Sequence, residues 1–185
     1  MDSVEVRNIF AAVFAKKILA PLLEILDKNQ VKFWGTEGTA KYLKSKGFSA
    51  KSVVAGFDFD GRVKSLDREN FVRILADRSK KKHLNELKKL SVKPFDLVVV
   101  DLYKPDQSNF PESMDIGGQA LIRAAIKNYQ NVALAFDEKS IADVVSELKK
   151  NNGSTTGSFR KTQAQKAAKF IVERCLQEQK LFRSK

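Results

Sequence analysis

The chain has 185 residues, 43% hydrophobic and 30% charged. That balance excludes wholesale disorder and fits one compact domain or a domain with a terminal appendage. A single cysteine, Cys175, and a single histidine, His83, exclude an internal disulfide and a Cys-rich zinc site, and leave His-based metal centres and Ser-His-Asp triads almost nothing to work with. The net charge is +12, of which residues 153–185 carry +6 and residues 79–90 carry +4. Such an excess suits nucleotides, phosphates, RNA or acidic surfaces, and solvated helix faces explain it as well.

Residues 1–8 are polar and charged, unlike a signal peptide, and no apolar run approaches the ~20 residues of a membrane helix. A soluble cytoplasmic protein without a membrane partner is expected. Residues 8–14 read as a buried strand, and residues 17–26 as a helix with Pro21 in its first turn. Residues 31–34 form a short strand. It runs into Gly35-Thr36-Glu37-Gly38-Thr39 and a helix to about Lys46, closed by Gly47. Residues 50–54 are a weak strand, and residues 56–67 a long loop. Residues 70–76 and 82–90 look helical. Residues 95–102 are the clearest strand, apolar apart from Asp96 and Asp101, as in a parallel sheet covered on both faces. A polar loop (104–112), a helix (117–128), a strand (132–136) and a helix (139–150) follow. Residues 151–158, rich in Gly, Ser, Thr and Asn, are the best linker, and residues 159–182 one long helix.

This order predicts an α/β fold of three layers: a mainly parallel central sheet with helices on both faces, plus a C-terminal helical extension. The expected division is residues 1–152 as the α/β domain and residues 153–185 as a basic extension packed on it. Ligands in such folds gather at the carboxyl ends of the strands.

Four segments fall there. The 35–39 turn offers backbone N–H groups and hydroxyls to an anion, although Thr39 could simply cap the helix. Asp60-Gly61-Arg62-Val63-Lys64-Ser65 places a forked and a point cation two residues apart, or forms a solvated loop. Tyr103 ends the strongest strand and points a hydroxyl into the expected cleft, or is a rim aromatic. Asp115 begins a helix and Lys127 lies twelve residues on, about 18 Å along a continuous helix. They share a ligand only if it is elongated, the helix is broken, or another subunit contributes; a cap and a favourable terminal lysine explain them too. His83, among lysines, is expected to be exposed. Trp34 reads as core or cleft wall, and Cys175 as packing. The 13 phenylalanines follow core periodicities and suggest no platform for stacked bases.

Several of these segments, in order, resemble one family. Residues 35–40 resemble Ser-Thr-Gly-Gly-Thr-Ala, and residues 60–66 resemble Asp-Gly-Arg-Val-Lys-Thr-Leu. Residues 98–103 resemble Val-Val-Val-Asn-Leu-Tyr, with Asp101 for Asn. Met114-Asp115-Ile116-Gly117-Gly118 and residues 121–128 resemble Ile-Asp-Ile-Gly-Gly and Met-(Val/Ile)-Arg-Ala-Ala-Ala-Lys-Asn. The chain thereby resembles the IMP cyclohydrolase domain of the bifunctional purine-biosynthesis enzyme, of methylglyoxal-synthase-like fold. The transformylase domain usual in that enzyme is absent from these residues.

The resemblance implies cofactor-free ring closure of 5-formamidoimidazole-4-carboxamide ribotide to IMP. It implies catalytic positions at Lys64, Tyr103, Asp115 and Lys127, with Asp115 and Lys127 in one pocket and the intervening helix late-starting or bent. Arg62, Thr36, Gly38 and Thr39 match phosphate- or ribose-side positions. Lys16, Ser65, Gly117 and Gly118 complete the expected substrate-binding set. The first loop departs from the family's Ser-x-x-Asp-Lys-Thr-Gly, leaving only Lys16 in Val13-Phe14-Ala15-Lys16-Lys17-Ile18. Asp67 replaces a histidine, Glu37 a glycine, and Lys104-Pro105 a Pro-Phe pair; the segment before Asp60 is shortened. Phosphate is then gripped differently, through Lys16, Lys17 or Lys104, or the ligand has changed. The alternative is a non-catalytic nucleotide- or phosphate-binding module of the same fold. Methylglyoxal synthase needs a catalytic histidine that His83 is not placed to supply. A homodimer and a separate transformylase are compatible partners. Nucleic acid is not an expected one, RNA binding through the basic tail being a lesser alternative.

Overall fold

A computed structural model describes residues 3–53 and 65–183. Five strands form one fully parallel sheet: β2 (Asn8–Ala12), β3 (Lys32–Gly35), β4 (Ala50–Ser52), β5 (Leu97–Val100) and β6 (Ala133–Ala135). Their order is β4-β3-β2-β5-β6, with β2 in the centre. The alternation of side chains across a strand makes two cores. Ile9, Ala11, Leu97, Val99, Ala133 and Ala135 face one layer, where Leu22, Leu43, Ile141 and Val144 cover them. These come from α1 (Ala20–Ile25), α2 (Glu37–Ser45) and α6 (Glu138–Lys150). Phe10, Val98, Val100 and Leu134 face the other layer, against Ile74, Leu121, Ile122, Ala167 and Ile171. Those belong to α3 (Arg68–Leu75), α5 (Ile116–Lys127) and α7 (Gly157–Arg183). The remaining helix, α4 (Lys81–Lys89), buries Leu87 and presents its lysines to solvent. The three-layer α/β expectation therefore holds, with β5 buried at every position.

Two expectations change. The predicted linker contains a strand, β7 (Ser154–Thr156), paired antiparallel with β1 (Ser3–Glu5). Its Ser and Thr residues look like loop, but Thr155 is fully buried. The turn preceding β7 uses Asn152 and Gly153 at positive φ. The basic tail is also not uniformly a solvated face. Arg160 is buried and donates from Nε to Tyr129 O (3.0 Å), from Nη2 to Gln130 O (3.0 Å) and from Nη1 to Thr155 Oγ1 (3.2 Å). Arg160→Met keeps the bulk and strips these donors, leaving the Tyr129 and Gln130 carbonyls without them. An expected loss of about 2–4 kcal/mol in unfolding free energy is measurable by urea titration; an unchanged midpoint would show that the guanidinium anchors nothing. Among the described residues no helix is long and apolar enough to cross a membrane.

Candidate active site at the sheet rim

All five strands run the same way, so their carboxyl ends share one rim. The chain moves outward from β2 to β3 and β4, then crosses to β5 and β6, which opens the switch point between β2 and β5. Residues 13–16 leave β2 there, and residues 101–103 leave β5.

Thr39 is fully buried within α2 and ties that helix to the first loop. Its hydroxyl donates to Val13 O and accepts from Val13 N, each at 3.3 Å, and lies 3.1 Å from Thr36 Oγ1. Thr36, not Thr39, occupies the N-cap, and its side chain makes no capping bond. Lys16 begins a 3-10 turn (Lys16–Leu19). Its ammonium folds back on Val13 O and Phe14 O beside Gly38, where a Cβ would lie 4.0 Å from Nζ. Asp101 closes the switch point: its carboxylate accepts from Phe14 N and from Ala15 N, the latter at 2.9 Å. Lys16, Thr36, Gly38 and Thr39 thus form one group around the first loop.

A second group meets at the start of α5. Asp115 is the N-cap, accepting Gly118 N at 2.7 Å on Oδ1. Its Oδ2 accepts no hydrogen bond among the described residues. A Cβ on Gly118 would fall 2.4 Å from Leu102 Cδ2, and one on Gly117 would fall 2.2 Å from Ser65 Oγ. Both glycines therefore allow close approach of Leu102 and of Ser65 to the helix start. Tyr103 donates its hydroxyl to Met114 O at 3.1 Å, and its ring lies 6.2 Å from that of Phe14, which joins the two groups. Arg62 and Lys64 lie outside the described residues.

Lys127 does not join them. The expected late start or bend is not there: α5 runs unbroken from Ile116 to Lys127 because Asp115 caps it and its Leu121, Ile122 and Ala125 face is continuously packed. Lys127 is exposed at the opposite end, about 18 Å away by helical rise. His83 is half-buried rather than exposed, its Nδ1 accepting Asp77 N at 3.0 Å, away from any role as a free base. Trp34 is a wall of the core: the Arg73 guanidinium lies 4.0 Å from its ring and 3.8 Å from that of Phe95. Burial lowers the Arg73 pKa to about 10. Cys175 is exposed rather than packed, with Sγ 3.8 Å from Gln119 Oε1.

The helix α7 supplies groups that sequence reasoning missed. Arg174 is 7% and Glu178 6% exposed. Arg174 Nη1 donates to Tyr103 O at 2.9 Å, and Glu178 Oε1 accepts Gln119 Nε2 at 2.7 Å. A signal existed: Arg160, Ala164, Ala167, Ile171, Arg174 and Glu178 repeat every three or four residues, so three ionisable side chains lie on one stripe with apolar residues.

These surroundings set the proton affinities. Burial raises the Asp115 carboxyl above the ordinary aspartate range, and the Asp101 and Glu178 charges push the same way; Gly118 N–H and the Arg174 charge oppose them. Burial, then the Asp115 and Glu178 charges, raise the Tyr103 phenol. A carboxyl raised in the folded state favours folding while protonated, and that contribution is lost as pH rises through its folded pKa. Asn keeps the cap acceptor without the charge. The melting temperature of Asp115→Asn minus that of wild type should therefore rise between about pH 4 and pH 7; a difference independent of pH would contradict the burial of this charge. Among the described residues no three His, Cys, Asp or Glu side chains gather as a metal site.

A profile of the MGS-like domain matches residues 19–135, well over half of the chain. The chain belongs to the MGS-like domain family. Within it, the chain is 36% identical to the bifunctional purine biosynthesis protein PurH of Brucella ovis over 178 residues. The PurH of Brucella canis gives the same identity over the same length. In both cases the match covers 90% of this chain and 33% of the relative, so the chain spans about one third of the length of these curated proteins. The crystal structure of ForH superposes with a TM-score of 0.76 and 27% identity, over 96% of this chain and 99% of that one. This MGS-like chain carries Thr36, Gly38, Thr39, Tyr103, Asp115 and Lys127 inside the matched span, whereas Lys16, Arg174 and Glu178 lie outside it.

Proposed function

We propose that this MGS-like domain is an IMP cyclohydrolase, closing 5-formamidoimidazole-4-carboxamide ribotide to IMP with loss of water. The carboxamide nitrogen attacks the formyl carbon, forming the C–N bond. The carboxamide nitrogen and the formamido nitrogen each give up one proton, the former formyl oxygen takes up two, and the C–O bond breaks to release water as the formamido nitrogen's electron pair closes the C=N bond. An amide nitrogen is a poor nucleophile, so the site must hold the two groups in contact and move protons both ways. Asp115, whose Oδ2 accepts no hydrogen bond among the described residues, accepts from the carboxamide. Tyr103, with Lys64, carries the proton to the departing oxygen. Positioned acid–base groups of this kind contribute roughly 10²–10⁴-fold each.

The observation that carries this reading is the pairing of the Tyr103 hydroxyl and the half-buried Asp115 carboxyl across Met114 at the switch point, in a chain 36% identical to PurH. The family position of Lys127 fits the same chemistry only if it reaches the rim from a second copy of the chain, since the unbroken α5 holds it away within one subunit. In that case the working unit is a homodimer.

A second reading is a nucleotide-binding module without turnover. It is favoured by the first loop, where Lys16 and Asp101 bond to the loop itself. Incubating purified protein with the formylated ribotide and following IMP by absorbance separates the two. Turnover that disappears in Lys64→Ala supports the enzyme; thermal stabilisation by IMP without turnover supports the module.

A further inference from the structure

Two successive backbone amides, Phe14 N and Ala15 N, leave the central strand at the switch point on an exposed turn. Adjacent N–H groups turned toward one point form the kind of concavity that holds anions elsewhere in proteins. Here the chain fills it. Asp101 gives one carboxylate oxygen to each amide, Oδ1 to Phe14 and Oδ2 to Ala15. The arrangement is fixed from both sides, because Ala12 and Val100 are register partners in β2 and β5 immediately before the two segments. The cation nearest in sequence, Lys16, is turned onto Val13 O and Phe14 O. An incoming phosphate would find both donors taken and a like charge beside them.

We propose that Asp101 is a specificity-determining residue: its carboxylate stands in for a ligand anion on the Phe14 and Ala15 amides, so that the first loop accepts a neutral part of the ligand and disfavours a phosphomonoester there. The inference rests on the proposed function only in placing the ligand at this rim, and it holds equally for a binding module. A ribotide phosphate then lies elsewhere along the rim. Asp101→Asn removes the charge and keeps one carbonyl acceptor for the loop, matching the residue type of the family pattern.

The test compares wild type and Asp101→Asn by calorimetric titration with IMP and with inosine, and by amide NMR during titration with inorganic phosphate. The ratio Kd(inosine)/Kd(IMP) should rise at least about tenfold in the variant. Phosphate should shift the Phe14 and Ala15 amides in the variant and leave them unmoved in wild type. An unchanged or lower ratio, wild-type amides that titrate with phosphate as the variant's do, or no binding of either compound to either protein overturns the proposal. Asp101→Ser serves if Asn does not fold. Turnover of the formylated ribotide is read on the same preparations. A raised ratio without turnover removes the cyclohydrolase reading and keeps this one; turnover with an unchanged ratio does the reverse.

Discussion

Replacing Asp115 by Ala or Asn should lower kcat/KM for IMP formation at least ~100-fold while the protein remains folded. The two substitutions separate structure from chemistry. Asp115 is expected to serve twice, as the N-cap of α5 through Oδ1 and as a proton acceptor through Oδ2, which accepts no hydrogen bond among the described residues. Ala loses both functions, and the lost cap costs roughly 1 kcal/mol. Asn keeps an acceptor for Gly118 N but cannot take a proton. Equal losses of activity from both, with stability preserved only in Asn, identify the carboxylate rather than the cap as the working element. Steady-state kinetics and a thermal melt of each variant check this; near-wild-type turnover in Asn would remove Asp115 from the mechanism.

The second large effect is on stability and concerns Gly35, the last residue of β3. A Cβ there would lie 2.0 Å from Ala11 O, a backbone atom of the central strand. Gly35 and Ala11 are register partners, so relief requires parting β2 and β3 beside the first loop. Overpacking against side chains costs typically 1–3 kcal/mol, and a backbone neighbour has less room to yield. Gly35→Ala should therefore lose about 3 kcal/mol or more, a fall in Tm of roughly 10 °C for a chain of this size. Gly38, three residues on in the same motif, gives the contrast. Its Cβ would meet Lys16 Cε at 3.7 Å and Nζ at 4.0 Å, ordinary contacts with a flexible side chain. Gly38→Ala should be neutral or stabilising, up to about 1 kcal/mol, because Ala favours the helix. Paired melts of the two variants test the difference; equal destabilisation would refute it. One glycine of the turn thus serves strand packing, and the other lies beside the Lys16 side chain.

The sheet was legible because its strands are short apolar runs. The unbroken Leu97–Val100 run announces burial on both faces, and it is buried throughout. The length of α5 was legible too, and with it the separation of Asp115 from Lys127. β7 was not, since Ser-Thr-Thr carries no apolar pattern and becomes a strand only through pairing with β1, some 150 residues earlier. The Asp101 clasp joins residues 86 and 87 positions apart, and nothing local marks it. Arg174 and Glu178 read as surface charges because residue type hid their position on the buried stripe of α7. Motifs located the rim; long-range contacts decide which side chains are committed to the fold and which remain for a ligand.

A structure of the protein with IMP bound tests the central claim most directly. The account predicts the purine ring at the switch point, its carbonyl-bearing edge within hydrogen-bond distance of the Tyr103 hydroxyl and the Asp115 carboxyl. Ordered IMP away from the carboxyl ends of β2 and β5, with Tyr103 and Asp115 untouched, would contradict it.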